Sequence, residues 1–378
     1  MKIAKVLLLS LPIILLLSIS AFGQSGKAAF DQAMSDFDAN RYEQAISGFR
    51  QAAALGYSVP EATYNVGLSY YNLKRYTEAK GALQEAISLK PTANAYYYLG
   101  NCLYFAQDYS RAVESFREAV KLKPDYYEAI VYLGNSLDYL KRYDDAVAQY
   151  KRAIELQPNR AWGYYELGVA HYNSQLYSSA IGALSTATRL DPTYTKAFLF
   201  LGMSYRRSDN EKDAETALLK AMQLDPNSSL TNYELGYIYE GQKRDSDALI
   251  RYKEALRLDP TNPDPHLGLG NLAYNANDYI GALAHYKRAF ELSPSWATAA
   301  LYIGDTQYHL KSYQAAIDYY RKALVLDPKR VPAVYGMGLA YIAQNDLSNA
   351  RGQYAQLLKM DAAEAARLLK AIDAASKP

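Results

Sequence analysis

The sequence predicts an all-α fold, a solenoid of about ten stacked helix–turn–helix units, and three residue series predict it. A glycine stands at Gly100, Gly134, Gly168, Gly202, Gly236, Gly270, Gly304 and Gly338, every 34 residues, with Gly67 33 residues earlier. Twelve residues after each of these comes an alanine, from Ala79 and Ala112 to Ala350. Twenty-four residues after all but the last comes a proline, from Pro91 and Pro124 to Pro328. Series locked in phase mark copies of one small unit, each of which packs only on its neighbours.

Residues 1–23 precede the repeats and read as a signal peptide. Lys2 and Lys5 form a charged start, and Val6 to Ile19 is an apolar run broken by Ser10, Pro12 and Ser18. Ala21-Phe22-Gly23 puts small residues at the two places a signal peptidase reads, so cleavage before Gln24 is expected. The alternative is an uncleaved anchor. The run is short for a span of ~20 residues and carries a proline. Gln24 stands where a lipoprotein needs cysteine. Both readings place the repeats outside the cytoplasm, periplasmic or secreted, with membrane contact only if the leader is retained.

The unit at 127–160 shows why each copy is two helices and a stop. Ile130, Leu133, Gly134 and Leu137 share one helical face, and so do Ala146, Tyr150 and Ala153. Pro158 follows, where a helix interior would not accept it. The turn falls near Lys141-Arg142-Tyr143. A mid-helix glycine costs ~1 kcal/mol against alanine, so its recurrence needs a packing reason, a close approach of the two helices. One hairpin leaves an apolar side wet, and stacking buries it.

Numbering the unit so that the recurrent glycine is position 8, Tyr96, Leu99-Gly100, Ala112, Phe116, Ala119 and Pro124 fall at fixed spacing in one copy. This pattern resembles the tetratricopeptide repeat (TPR), with Leu103 where the family has Tyr. The resemblance implies a right-handed α-solenoid superhelix. It covers ten units, 26–59, 60–92, 93–126, 127–160, 161–194, 195–228, 229–262, 263–296, 297–330 and 331–364. The first is degenerate, with Ala33 for the glycine and Tyr57 for the proline. A C-terminal capping helix, 365–378 with its start near Asp361, closes the stack. Asp361 and Glu364 suit a capping box, and Arg367, Lys370 and Asp373 suit a polar outer face.

The resemblance also implies that positions 2, 5, 6, 9, 12 and 13 of the first helices line a concave groove. Tyrosine is abundant, 38 copies, and Tyr64, Tyr71, Tyr97, Tyr104, Tyr165, Tyr172, Tyr233 and Tyr274 take such positions. They are candidates for a ladder contacting an extended peptide or sugar rings. Asn101, Asn135 and Asn271 at position 9 are candidates to bond a peptide backbone, since an amide offers a donor and an acceptor. The sixth unit departs from the acidic trend with Lys196, Arg206 and Arg207, a candidate hot spot. Inward acids elsewhere include Asp138, Glu166, Glu234, Glu240, Asp264 and Asp305. No lysine occupies position 5, so the carboxylate-clamping mode of some family members is not expected.

Composition narrows the function further. Without the leader the chain has 39 basic and 39 acidic residues, a balance that argues against nucleic acid. One cysteine, Cys102, excludes an intramolecular disulfide. His171, His266, His285 and His309 take four different repeat positions without metal-ligand spacing. No nucleophile–base pair or phosphate loop stands out. The expectation is a non-catalytic, cofactor-free envelope scaffold that holds a protein or peptide segment. The alternative is a polysaccharide-binding protein that uses the tyrosine ladder.

Overall fold

A computed structural model describes residues 24–376, and the regular elements among them are α-helices. The leader, 1–23, lies outside the described residues. The helices pair along the chain: α1 (24–38) with α2 (Tyr42–Ala54), α3 (Val59–Asn72) with α4 (Tyr76–Leu89), and α5 (Ala93–Phe105) with α6 (Tyr109–Leu122). Next come α7 (Tyr127–Tyr139) with α8 (Tyr143–Leu156), α9 (Ala161–Asn173) with α10 (Tyr177–Leu190), and α11 (Thr195–Arg207) with α12 (Glu211–Leu224). Then follow α13 (Ser229–Gly241) with α14 (Asp245–Leu258), α15 (Asp264–Asn275) with α16 (Tyr279–Leu292), and α17 (Ala297–His309) with α18 (Tyr313–Leu326). The series ends with α19 (Val331–Ala343), α20 (Leu347–Leu357) and α21 (Ala362–Ala375). The chain divides between Ala197 and Phe198, inside α11, into two halves, each a stack of helical hairpins. No helix among the described residues is long and apolar enough to cross a membrane.

Each hairpin turn is a Schellman motif built without glycine. After α7, Lys141 has φ 59°, its N–H bonds Asp138 O at 2.8 Å, and Arg142 N–H bonds Leu137 O at 2.9 Å. Lys74, Gln107, Gln175, Asp209, Lys243, Asn277, Lys311 and Asn345 repeat the left-handed conformation at the same position. The exits of the second helices are set by proline. Lys123, Asp191, Asp225 and Asp259, each just before it, are extended, because the ring of the next residue excludes the helical region.

The recurrent glycine has the packing role its cost demands. A Cβ on Gly134 would sit 2.5 Å from Tyr150 Cε1, and one on Gly168 2.4 Å from Leu184 Cγ. The bulky residue at position 24 thus lies flat on the glycine of its own first helix. The first repeat reverses the sizes: Ala33 faces Gly48 on the second helix. Neighbouring first helices also meet directly, α3 with α5, α5 with α7 and α7 with α9, then α13 with α15 and α17 with α19. Within each half this aligns the first helices side by side as one continuous face. At the C-terminal end Asp361 caps α21, accepting from Ala363 N and Glu364 N at 2.9 and 3.1 Å. Glu364 does not close a capping box; its carboxylate takes Arg367 Nη1 at 2.5 Å. Ala365, Leu368 and Ile372 are buried while Arg367, Lys370 and Asp373 stay exposed.

Candidate functional site

In the first half the expected tyrosine ladder exists as a web of rings engaged with one another. Tyr64 meets Tyr98 at 6.3 Å, Tyr71 meets Tyr98 at 5.1 Å, and Tyr97 meets Tyr126 at 5.0 Å. Tyr104 touches Tyr109, Tyr132 and Tyr139 edge-on at 5.5 to 5.6 Å. Tyr165 packs on Tyr194 at 4.8 Å and Tyr172 on Tyr177 at 5.6 Å. All six candidates are half-buried, and burial pushes the Tyr97 hydroxyl up to about 12. The well-exposed rings belong to position 13. Phe105 stacks on Tyr76, and Tyr139, 58% exposed, stacks on Tyr109 at 4.4 Å. Position 13 is among those the resemblance turns toward the groove, yet the tyrosine candidates singled out there stand at other positions.

The asparagines at position 9 serve the protein rather than a passing backbone. Asn135 Oδ1 accepts from Tyr150 Oη at 2.7 Å, and Asn135 also hydrogen-bonds the Glu166 carboxylate. Asn271 Oδ1 accepts from Tyr286 Oη at 2.9 Å, and its Nδ2 donates to Glu240 Oε1 at 3.0 Å. Asn101 is 1% exposed, and its Oδ1 has no partner within the protein. The backbone-bonding role expected for these three is therefore corrected: two amides are occupied at both ends and the third is closed off. The physical reason lies at position 24. Where it is Tyr150, Tyr286 or Tyr320, position 9 holds Asn135, Asn271 or Asp305 to accept the hydroxyl, whereas Tyr252 donates to Glu240 at position 12. Where it is leucine, at Leu83, Leu184 and Leu218, position 9 holds Leu68, Val169 and Met203. Phe116 at that position has no hydroxyl, and Asn101 is the acceptor left without its donor.

The basic candidates separate. Lys196 is exposed in the first half, and Arg207 is exposed in the second. Arg206 is committed internally: its Nε lies 2.6 Å from Glu234 Oε2 and its guanidinium 4.6 Å from the Tyr237 ring centroid. Glu234 is 2% exposed, so the ion pair is a buried strut between α11 and α13. Arg206 as a hot spot for a partner is thus corrected as well. Tyr233 is half-buried with its ring 6.1 Å from Tyr252.

What the sequence did not weigh as a site is the set of inward acids. In the first half burial holds the Glu166 carboxyl up at about 7, although Trp162 Nε1 donates to it at 2.7 Å. In the second half Glu240 Oε2 accepts from Tyr252 Oη at 2.6 Å, and Asp305 Oδ1 accepts from Tyr320 Oη at 2.8 Å. Burial raises both carboxyls, Asp305 to about 6. Glu240, Asn271, Tyr274, Tyr302 and Asp305 line a cavity of about 320 Å³. A second cavity, of about 570 Å³, shares Tyr274 and Asp305 with it and runs past Tyr308 and Tyr335 to Leu339 and Arg367. Tyr274, a tyrosine candidate, thus lines both cavities. The signal was present in the sequence as acids at positions 9 and 12 beside tyrosines, but acids at such places ordinarily read as a solvated face.

A stack of helical hairpins with cavities along its first helices defines a helical-repeat protein. Tetratricopeptide repeat models match residues 30–94, 165–229 and 267–331, more than half of the chain. Further models of the repeat match 93–126, 333–362, 134–175 and 242–277. The chain belongs to the tetratricopeptide repeat family, whose members are in general non-catalytic scaffolds that bind protein or peptide partners. No curated protein matches the chain.

Solved structures resemble it in fold. The C-terminal part of a TPR repeat-containing protein from Cytophaga hutchinsonii aligns at 22% identity over 64% of this chain and 99% of its own, TM-score 0.51. The APC/C hetero-tetramer Cut9-Hcn1 aligns at 16% identity over 90% of this chain and 95% of its own, TM-score 0.52. An IFIT1 monomeric mutant with Gppp-AAAA aligns at 17% identity over 92% and 90%, TM-score 0.56.

Proposed function

We propose that this chain is an exported, non-catalytic scaffold of the periplasm or cell envelope that holds an extended partner segment along its first helices. The observation that carries the reading is the pair of linked cavities in the second half, which share Tyr274 and Asp305. Successive pockets along one face suit alternate side chains of an extended chain. Export rests on the leader sequence, with Lys2 and Lys5 ahead of an apolar run and Ala21-Phe22-Gly23 behind it.

The polysaccharide reading is weaker. A sugar ring needs an open aromatic face, and most ladder rings present edges to one another. A screen of immobilised peptides and envelope glycans with the purified chain tests the choice, beside a Tyr274→Ala/Tyr308→Ala/Tyr335→Ala variant. Peptide capture that the variant loses supports the scaffold. Glycan capture without peptide capture overturns it. N-terminal sequencing of the protein from its host tests export, with a start at Gln24 expected and an intact Met1 in the cytosol overturning it.

A further inference from the structure

Buried carboxylates ordinarily have a cation beside them, because taking a charge out of water is costly unless it is paired. The Arg206–Glu234 pair follows this rule. The cavity one repeat further on does not, since no lysine or arginine lines it. Glu240 and Asp305 reach it from two different repeats, α13 and α17, with Asn271 of α15 between them. Their partners in the protein are neutral: Tyr252 and Asn271 for Glu240, Tyr320 for Asp305. The basic group that acts on Asp305, Arg330, is itself held by Thr298 Oγ1 at 2.8 Å.

A carboxylate accepts about four hydrogen bonds, so the neutral donors orient these groups without exhausting them. Tyr274 and Tyr302 add rings to the same wall, and aromatic faces attract cations. A space of about 320 Å³ walled by rings and amides suits an organic cation rather than a bare metal ion.

We propose that the cavity between Glu240, Asn271 and Asp305 is a subsite for the lysine or arginine side chain of a bound peptide segment. The proposal rests on the scaffold reading above and names what that scaffold selects. The ammonium or guanidinium sits between the two carboxylates, and its alkyl stem lies against Tyr274 and Tyr302. The adjoining cavity, with Val331, Pro332 and Leu339 in its wall, takes the apolar neighbour of that residue. Burial keeps part of Asp305 protonated near pH 6. Seating a cation ionises it, so binding of a basic peptide releases protons and weakens as the pH falls through that range.

The test is selection from an immobilised random peptide library by the purified chain in EDTA, at about pH 7.5. It runs beside Glu240→Gln/Asp305→Asn, which keeps both acceptor oxygens, and Glu254→Gln, which removes a charge on α14 that pairs with Arg257 and lines neither cavity. One fluorescein-labelled binder and its norleucine or citrulline counterpart are then titrated by anisotropy. The expected result is enrichment of lysine or arginine at one peptide position for the wild type and Glu254→Gln. The double variant loses it, and its affinity for the basic peptide falls about tenfold or more, as for a charge-assisted contact. The counterpart peptide binds both forms alike. Unchanged enrichment in the double variant, equal loss in Glu254→Gln, or selection of peptides without a basic position overturns the subsite and leaves the scaffold standing. Failure of the wild type to select any peptide overturns both.

Discussion

Tyr320 donates its hydroxyl to Asp305 at 2.8 Å, joining the two helices of one repeat in the wall of the larger cavity. Burial nevertheless lifts the Asp305 carboxyl from 3.8 to about 6, against the pull of Tyr320 and Arg330. A carboxyl raised on folding contributes stability that is full below its unfolded value. That contribution is lost as the pH rises through about 6. Asp305→Asn imitates the neutral form and still accepts from Tyr320. It is expected to stabilise the protein at about pH 8, on the order of 1–3 kcal/mol, and to be neutral at about pH 4. Urea denaturation at the two pH values checks this, and an equal gain at both would remove the titration of Asp305 as its cause.

The hydroxyl missing at position 24 of the third repeat offers a gain. Phe116→Tyr should place a donor on the orphaned Asn101 Oδ1, as Tyr150 does on Asn135. A stabilisation of about 1 kcal/mol is expected. The reverse change, Tyr150→Phe, should cost about 1–3 kcal/mol because it leaves Asn135 short of its donor. Thermal melts of both variants decide, and a loss in Phe116→Tyr would mean the hydroxyl finds no acceptor there.

Two glycines of equal helical cost should respond in opposite directions to alanine. At Gly134 a Cβ meets Tyr150, which is 1% exposed and cannot swing away. Overpacking of about 1–3 kcal/mol should exceed the ~1 kcal/mol gain in helix propensity. At Gly182, in the middle of α10, a Cβ meets nothing within 4 Å. Gly182→Ala should stabilise by about 0.5–1 kcal/mol. Calorimetry that moved both variants the same way would refute the close-approach account.

The left-handed turns carry a cost that can be removed. Lys141 holds φ 59° with a side chain that this region disfavours. Lys141→Gly is expected to gain up to about 1 kcal/mol, reduced by the freedom glycine adds to the unfolded chain. Amide exchange at Arg142 N–H, which bonds Leu137 O, reads the turn locally and should slow in the variant.

His266 and His285 bring their Nδ1 atoms to 3.2 Å. Burial lowers both imidazoles, and His285 and Arg288 act in the same sense on His266. Lys253 does so on His285, against Asp278. A base lowered on folding favours its neutral form, so its stabilising contribution is present above about pH 6.5 and lost as the pH falls. The melting temperature should therefore drop on acidification through this range, opposite in sign to the Asp305 effect. His285→Gln should flatten that slope; an unaltered slope would show that the pair does not titrate.

Much of the fold is legible in the sequence because the repeat fixes helix, turn and stop locally. Gly134, Ala146 and Pro158 mark close approach, small second-helix face and chain break within one unit, and the structure uses each in that way. The position-9 residues were misread because their partners lie outside the local pattern. Tyr286 lies 15 residues beyond Asn271, and Glu240 31 residues before it. Pairing position 24 with position 9 down the chain exposes the first of these links. The second runs between repeats, where periodicity gives a position but no partner.

The sequence by itself determined the hairpin unit, its stacking, the place of the turn and the proline exit, since backbone sterics and burial of an apolar stripe act over a few residues. Only the tertiary structure decided which polar groups on the first helices are spent and which face a cavity. Arg206, Asn135 and Asn271 are consumed by neighbours, whereas Glu240 and Asp305 keep acceptor capacity beside an open space. That difference depends on how adjacent helices bring side chains within about 3 Å of one another, a distance no spacing in the chain encodes.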